Sequence, residues 1–220
     1  MNGPILQILV LAGIAIFLIV RLRSVLGTRE GFEKPPIPKD SVQQVSRRRD
    51  FEVIEGGPDY DIQDNVPEGS EMAGELARMK RVDPSFQVGE FLQGARGAYE
   101  MILMAFERGE MADVLPFLSQ EVYEAFSGVI DAREREGLTI EAEFIGVRDI
   151  GLVDVDFDED THEAQLTVKF TSEMSYQVRD RGGDVIEGNA NEIKRQKDVW
   201  TFSRVMGTDD PNWKLVATDG

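Results

Sequence analysis

The chain has 220 residues, 41 Asp/Glu against 24 Lys/Arg, and a formal net charge of −17. That is the length of one domain with an appended segment. Its acidity excludes nucleic acid as a partner, because affinity for phosphate backbones depends on Lys and Arg displacing condensed counterions. There is no cysteine and one histidine, His162. Disulfides, thiolate nucleophiles and zinc–thiolate sites are therefore excluded, and any His-based metal site or Ser–His–Asp triad would rest on one imidazole.

Residues 5–20 read ILQILVLAGIAIFLIV, apolar except for Gln7. The run is short of the roughly 20 residues that cross a bilayer, but Arg21 and Arg23 can snorkel and let the helix continue to Leu26. A cleaved signal peptide would need a basic n-region and a small-residue cleavage site. Here Met1-Asn2-Gly3-Pro4 is uncharged and the core ends in Arg-Leu-Arg. Residues 1–26 are thus expected to be a single-pass transmembrane anchor. Arg21, Arg23, Arg29 and Lys34 all follow it, which predicts the soluble part on the cytoplasmic side.

Residues 27–84 are expected to be a flexible linker. They carry Lys34-Pro35-Pro36-Ile37-Pro38, Glu55-Gly56-Gly57-Pro58 and the triplet Arg47-Arg48-Arg49, too little apolar surface to offset chain entropy. The triplet is a candidate contact for anionic headgroups. Within the linker, residues 71–81 (EMAGELARMKR) have the composition of a short helix that Asp83-Pro84 ends.

Residues 85–220 are expected to be an α+β domain. Over 86–109, Phe91, Leu92, Ala95, Ala98, Tyr99, Ile102, Leu103 and Phe106 fall in one apolar stripe at helical spacing, with Gln93, Arg96, Glu100 and Glu107 opposite. Met101 and Met104 lie off that stripe, and soft exposed methionines suit adaptable binding surfaces. Residues 110–117 predict a short helix. Ser119 can cap another over 120–136, which Gly137 ends. The period then switches to two: Ile140, Ala142, Phe144; Val153, Val155, Phe157; and Leu166, Val168, Phe170 predict three strands. Further strands are expected at 193–205 and 213–217, with hairpin turns at 158–162 and 181–184.

Asp154, Asp156 and Asp158 open like a calcium loop, but its sixth and twelfth positions need Gly and Glu where this chain has Glu159 and Gln165. Strand alternation explains them as a solvated face. His162 sits in the following turn with no nucleophile pattern beside it. No catalytic residue, cofactor or metal site is expected.

Two stretches carry a family resemblance: the helix FQVGEFLQGARGAYEMILMAFERGEMADVLPFLSQEVYEAF, and the terminal DVWTFSRVMGTDDPNWKLVATDG, whose motif is Trp200, Phe202, Arg204, Trp213 and Leu215. Together they resemble the C-terminal domain of the mitochondrial import-motor scaffold of the inner-membrane translocase, and its bacterial relatives called TimA. The resemblance implies a cone-like curved antiparallel sheet with helices on one face, similar to nuclear transport factor two. It also implies a scaffold joining a translocase to client polypeptide, chaperone or lipid. Mitochondrial members carry a long chaperone-recruiting N-terminal region, where this chain is expected to have an anchor and a short linker; the resemblance to the bacterial members implies the inner (cytoplasmic) membrane of a bacterium. Trp200 and Phe202 read as core. Arg204, on their face of the strand, calls either for a ring to stack on or for an acidic neighbour.

The function expected is a membrane-anchored, non-enzymatic adaptor in protein transport or membrane-protein quality control. The alternative is a lipid-binding or structural inner-membrane protein. An enzyme of the same superfamily would need acid/base groups inside the sheet, where the identifiable inward residues are apolar. Candidate partner- or lipid-binding residues are Met101, Met104, Tyr99, Arg204, Arg47, Arg48 and Arg49.

Overall fold

The computed structural model describes residues 59–219. The expected anchor, most of the expected linker and the Arg47–Arg49 triplet lie outside them. Among the described residues no helix is long and apolar enough to cross a membrane.

Order begins earlier than composition suggests. Asp59 caps a one-turn helix, α1 (Tyr60–Gln63), its carboxylate accepting the Ile62 N–H at 3.3 Å. Ser70 caps α2 (Glu71–Val82) by accepting the Ala73 N–H at 3.2 Å. The expected linker boundary at residue 84 is therefore corrected. Ile62, Val66, Leu76 and Met79 are all buried in the core that the rest of the domain builds. Met72, Leu76 and Met79 stand at helical spacing within the helix expected over 71–81, whereas Ile62 and Val66 find their place in a surface supplied by distant chain.

Helix α3 (Val88–Arg108) follows the expected stripe and stops at Gly109, whose φ of 75° is left-handed. The short helix expected over 110–117 is only a 3-10 turn at Leu115–Phe117, because Pro116 has no N–H to continue it. Ser119 caps α4 (Gln120–Glu136) by accepting the Val122 N–H at 3.2 Å, and Gly137 ends it, as expected.

Four strands follow in one antiparallel sheet of order β1-β2-β3-β4. The two strands expected between residues 140 and 157 are one, β1 (Thr139–Phe157). Bulges after Phe144, Val147 and Leu152 break its alternation, so that a single strand reads as two. Strand β2 is Glu163–Arg179, and β3 (Val185–Val205) begins eight residues before the expected position. Its first part, VIEGNANE, is too polar to show alternation. It joins through a wide bulge, Met174 pairing with Lys194 and Tyr176 with Asn189. Gly188 sits there at φ 75°, and a Cβ would come within 2.3 Å of the Tyr176 carbonyl oxygen, so no other residue fits. Strand β4 is Lys214–Asp219.

One face of the sheet presents Val155, Phe157, Leu166, Val168, Phe170, Trp200, Phe202 and Leu215, all buried. The helices cover that face, with α3 lying along β1, where Arg96 donates to the Val147 carbonyl at 3.0 Å. The other face is open and partly exposed, with Thr167 and Thr201 hydrogen-bonded across strands at 3.0 Å. The result is the expected α+β arrangement: an open antiparallel sheet with helices on one face.

Candidate functional site

The motif residues Phe202, Arg204 and Trp213 gather at the N-terminal end of α3, while Trp200 lies against Tyr99 further along the helix. Alternation puts Trp200 and Phe202 on the covered face of β3, and Leu215 is wholly buried beside them. Trp213, half-buried just before β4, brings its ring 4.7 Å from Phe91 and 5.9 Å from Phe86. Phe91 in turn meets Phe202 edge-on at 6.0 Å. Arg204 realises both alternatives that the sequence leaves open. Its Nη2 donates to Asp83 Oδ2 at 2.7 Å, and its guanidinium lies 5.9 Å from the Trp213 ring centre. Asp83 also accepts the Ser85 hydroxyl at 2.5 Å and the Ser85 N–H at 3.1 Å. The Ser85 hydroxyl, opposed by burial and aided by the Ser85 N–H and Arg204, holds the Asp83 carboxyl below its ordinary range. Arg204 is thus tied into the fold, where the candidate assignment had it facing a partner. The Asp-Pro turn after α2 brings it a carboxylate 121 residues away in sequence.

Tyr99 also departs from its assignment as a partner-binding residue. It is fully buried, its ring stacked on Phe170 at 4.4 Å and tilted against Trp200 at 4.7 Å. Its hydroxyl donates to Asp198 Oδ2 at 2.5 Å, lies 2.9 Å from Ser172 Oγ, and accepts from Gln196 Nε2 at 3.0 Å. Burial and then Asp198 drive the phenol far above its ordinary pKa, so it stays neutral and joins helix to sheet without supplying a proton. Sequence reasoning missed Ser172, Gln196 and Asp198. The available signal was register: Ser172 lies two residues after Phe170, and Asp198 and Gln196 lie two and four before Trp200, so all three point inward.

Met101 is 39 % exposed and Met104 only 7 %. Met101 thus lies at the surface, while the placement of Met104 at an exposed edge is corrected. A stripe read from spacing assumes one covered side, but α3 also reaches β1 through Arg96, which lies off the stripe. Toward the same end of α3, the half-exposed Phe106 meets Phe126 of α4 at 4.7 Å, with the Arg133 guanidinium 4.3 Å over its ring. Glu107 lies 3.7 Å from Arg133. Burial pushes the Glu107 carboxyl up and the Arg133 guanidinium down, each against the attraction of the other. Leu103, Tyr123, Phe126 and Val129 are likewise only partly buried. The available chemistry here is adaptable apolar contact.

Among the described residues no group of three or more His, Asp or Glu side chains is placed to hold a metal. His162 is a turn residue at φ 59°, its carbonyl accepting the Met206 N–H at 2.8 Å.

Comparison with known proteins adds three findings. The model of the Tim44-like domain family matches residues 72–220. A curated protein of Arabidopsis thaliana, the mitochondrial import inner membrane translocase subunit TIM44-1, is 21 % identical over 194 residues, covering 84 % of this chain and 40 % of that protein. The chain therefore spans about two fifths of that relative's length. The crystal structure of the intermembrane space region of chloroplast protein ARC6 aligns with 12 % identity and a TM-score of 0.39, covering 58 % of this chain and 94 % of that one. A likeness that low carries no argument here.

Proposed function

The chain belongs to the family of Tim44-like domains, and on that premise we propose that it is a membrane-tethered, non-enzymatic scaffold in protein translocation, of the bacterial TimA kind. In this reading residues 1–26 anchor it in the inner membrane with the domain on the cytoplasmic side, and the domain engages client polypeptide or a translocase or chaperone subunit. The family domain itself carries the proposal: it spans residues 72–220, behind an apolar run and a basic cluster that have the pattern of an anchor and its topology signal. The partly exposed apolar side chains on α3 and α4, Met101 and Phe126 among them, support polypeptide contact, since non-catalytic sites are chiefly apolar with few polar groups.

The test is photo-cross-linking in cells from the full chain, with the reactive side chain at Met101 or Tyr123 and at Lys169 on the open sheet face as control. Polypeptide adducts are expected from the first two positions and are absent from Lys169. The variant Met101→Glu should melt within about 0.5 kcal/mol of the parent and lose the Tyr123 adducts several-fold, because a charge enters an apolar contact. Adducts to lipid alone would replace the polypeptide reading with the lipid-binding one, and equal labelling at Lys169 would remove the assigned surface.

A further inference from the structure

Helix α3 begins without a cap of its own. Gln87 occupies the N-cap position and its side chain makes no capping hydrogen bond. The first N–H groups of a helix have no intrahelical acceptor and need one from elsewhere. Here Asp61, from α1, supplies both: Oδ2 accepts the Val88 N–H at 2.7 Å and Oδ1 the Gly89 N–H at 2.9 Å. Lys80 of α2 closes the arrangement, donating to Asp61 Oδ2 at 2.7 Å and to the two Asp59 oxygens at 3.0 and 2.9 Å.

The segment making these contacts is slight. Helix α1 has four residues, too few to persist alone. Only Ile62 and Val66 of this stretch enter the core, at 6 % and 4 % exposure. The end it caps is not slight: one turn into α3, Phe91 touches Phe86, Phe202 and Trp213, and Asp83, just before it, holds Arg204.

We propose that residues 59–66 are a releasable clasp that couples the chain preceding the domain to the aromatic cluster at the start of α3. Seated, the clasp completes the first turn of α3 through Asp61. Drawn away by tension on the preceding chain or by a partner that holds it, the clasp uncaps α3, frees Lys80 from both carboxylates and uncovers the groove that Ile62 and Val66 fill. The remainder of α3, fastened by Tyr99 to the sheet, stays folded. This inference does not depend on what the domain binds.

The experiment is amide hydrogen exchange by NMR on the full chain and two variants. Ile62→Ala loosens the clasp without touching the cap; Asp61→Ala removes the cap and the Lys80 contact together. The Val88 and Gly89 amides report directly, because Asp61 is their acceptor. Both variants should speed exchange at residues 60–66 and at Val88 and Gly89 by roughly ten-fold or more, with residues 99–106 unchanged. If Ile62→Ala speeds 60–66 but leaves Val88 and Gly89 as in the parent, the clasp is not coupled to α3 and the proposal fails. If the whole of α3 accelerates equally, residues 59–66 belong to the cooperative core and are not releasable, which overturns it as well.

Discussion

The two ends of α3 use nearly the same parts and reach different outcomes. Each joins an arginine, a carboxylate and aromatic rings. At the N-terminal end Asp83 and Arg204 are hydrogen-bonded at 2.7 Å, Ser85 completes the carboxylate, and Phe91 is buried among three other rings. At the C-terminal end Arg133 and Glu107 stand 3.7 Å apart, beyond hydrogen-bond reach, and Phe106 and Phe126 are half-exposed. Burial lifts Glu107 instead of lowering it. A buried charge pair holds firmly only when its lone pairs and protons are also satisfied. One end is therefore a hydrogen-bonded joint, with Arg204 Nε left buried and without an acceptor, while the other keeps apolar surface and a looser ionic contact that a partner can rearrange.

The largest test of that contrast removes one ring from each end. Phe91→Ala should cost about 3–5 kcal/mol, the range for a buried aromatic. Phe126→Ala should cost about 1–2 kcal/mol, because less of its surface leaves water. Chemical denaturation of both variants measures the difference, and equal losses would mean that the two ends are equally fixed.

The ionic pairs sharpen it. Arg204→Met should cost about 3 kcal/mol by leaving Asp83 buried without its cation, whereas Glu107→Gln should stay within about 1 kcal/mol of the parent. Acid separates them as well. The folded pKa of Asp83 is depressed, so its contribution is complete above the unfolded value near 3.9 and is lost as pH falls through the lower folded value. Glu107 is raised, so its contribution has the opposite sign and grows on acidification through the same region. Denaturation midpoints between pH 3 and 7 should therefore fall less steeply in Asp83→Asn than in the parent, and more steeply in Glu107→Gln. The reverse order in either variant would show that the pair in question is wrongly weighed.

The smallest effect lies midway between the two ends. Gly97 is exposed within α3, and a Cβ there meets nothing within 4 Å. Gly97→Ala should stabilise by about 0.5–1 kcal/mol through helix propensity alone. A loss in thermal melting would reveal a contact that the glycine protects.

Some features of this protein follow from local pattern and need nothing distant. The stripe of α3, the Ser119 cap, the glycine stops at 109 and 137, both hairpin turns and the inward Trp200 and Phe202 are all readable within a dozen residues of chain, because hydrogen-bond geometry and side-chain period act over that range. Other features depend on chain brought from far away, which local pattern does not specify. The folding of residues 59–82 needs a core for Ile62, Val66, Leu76 and Met79 to enter. The unity of β1 needs β2 to pair across its bulges. Met104 is buried although it lies off the stripe, and Arg204 is neutralised because the Asp83 turn arrives 121 residues away in sequence. Tyr99 reads as another stripe residue until Ser172, Gln196 and Asp198 meet its hydroxyl. Periodicity reports which side of an element is apolar; only the packed structure decides how many sides are covered, and by which charges.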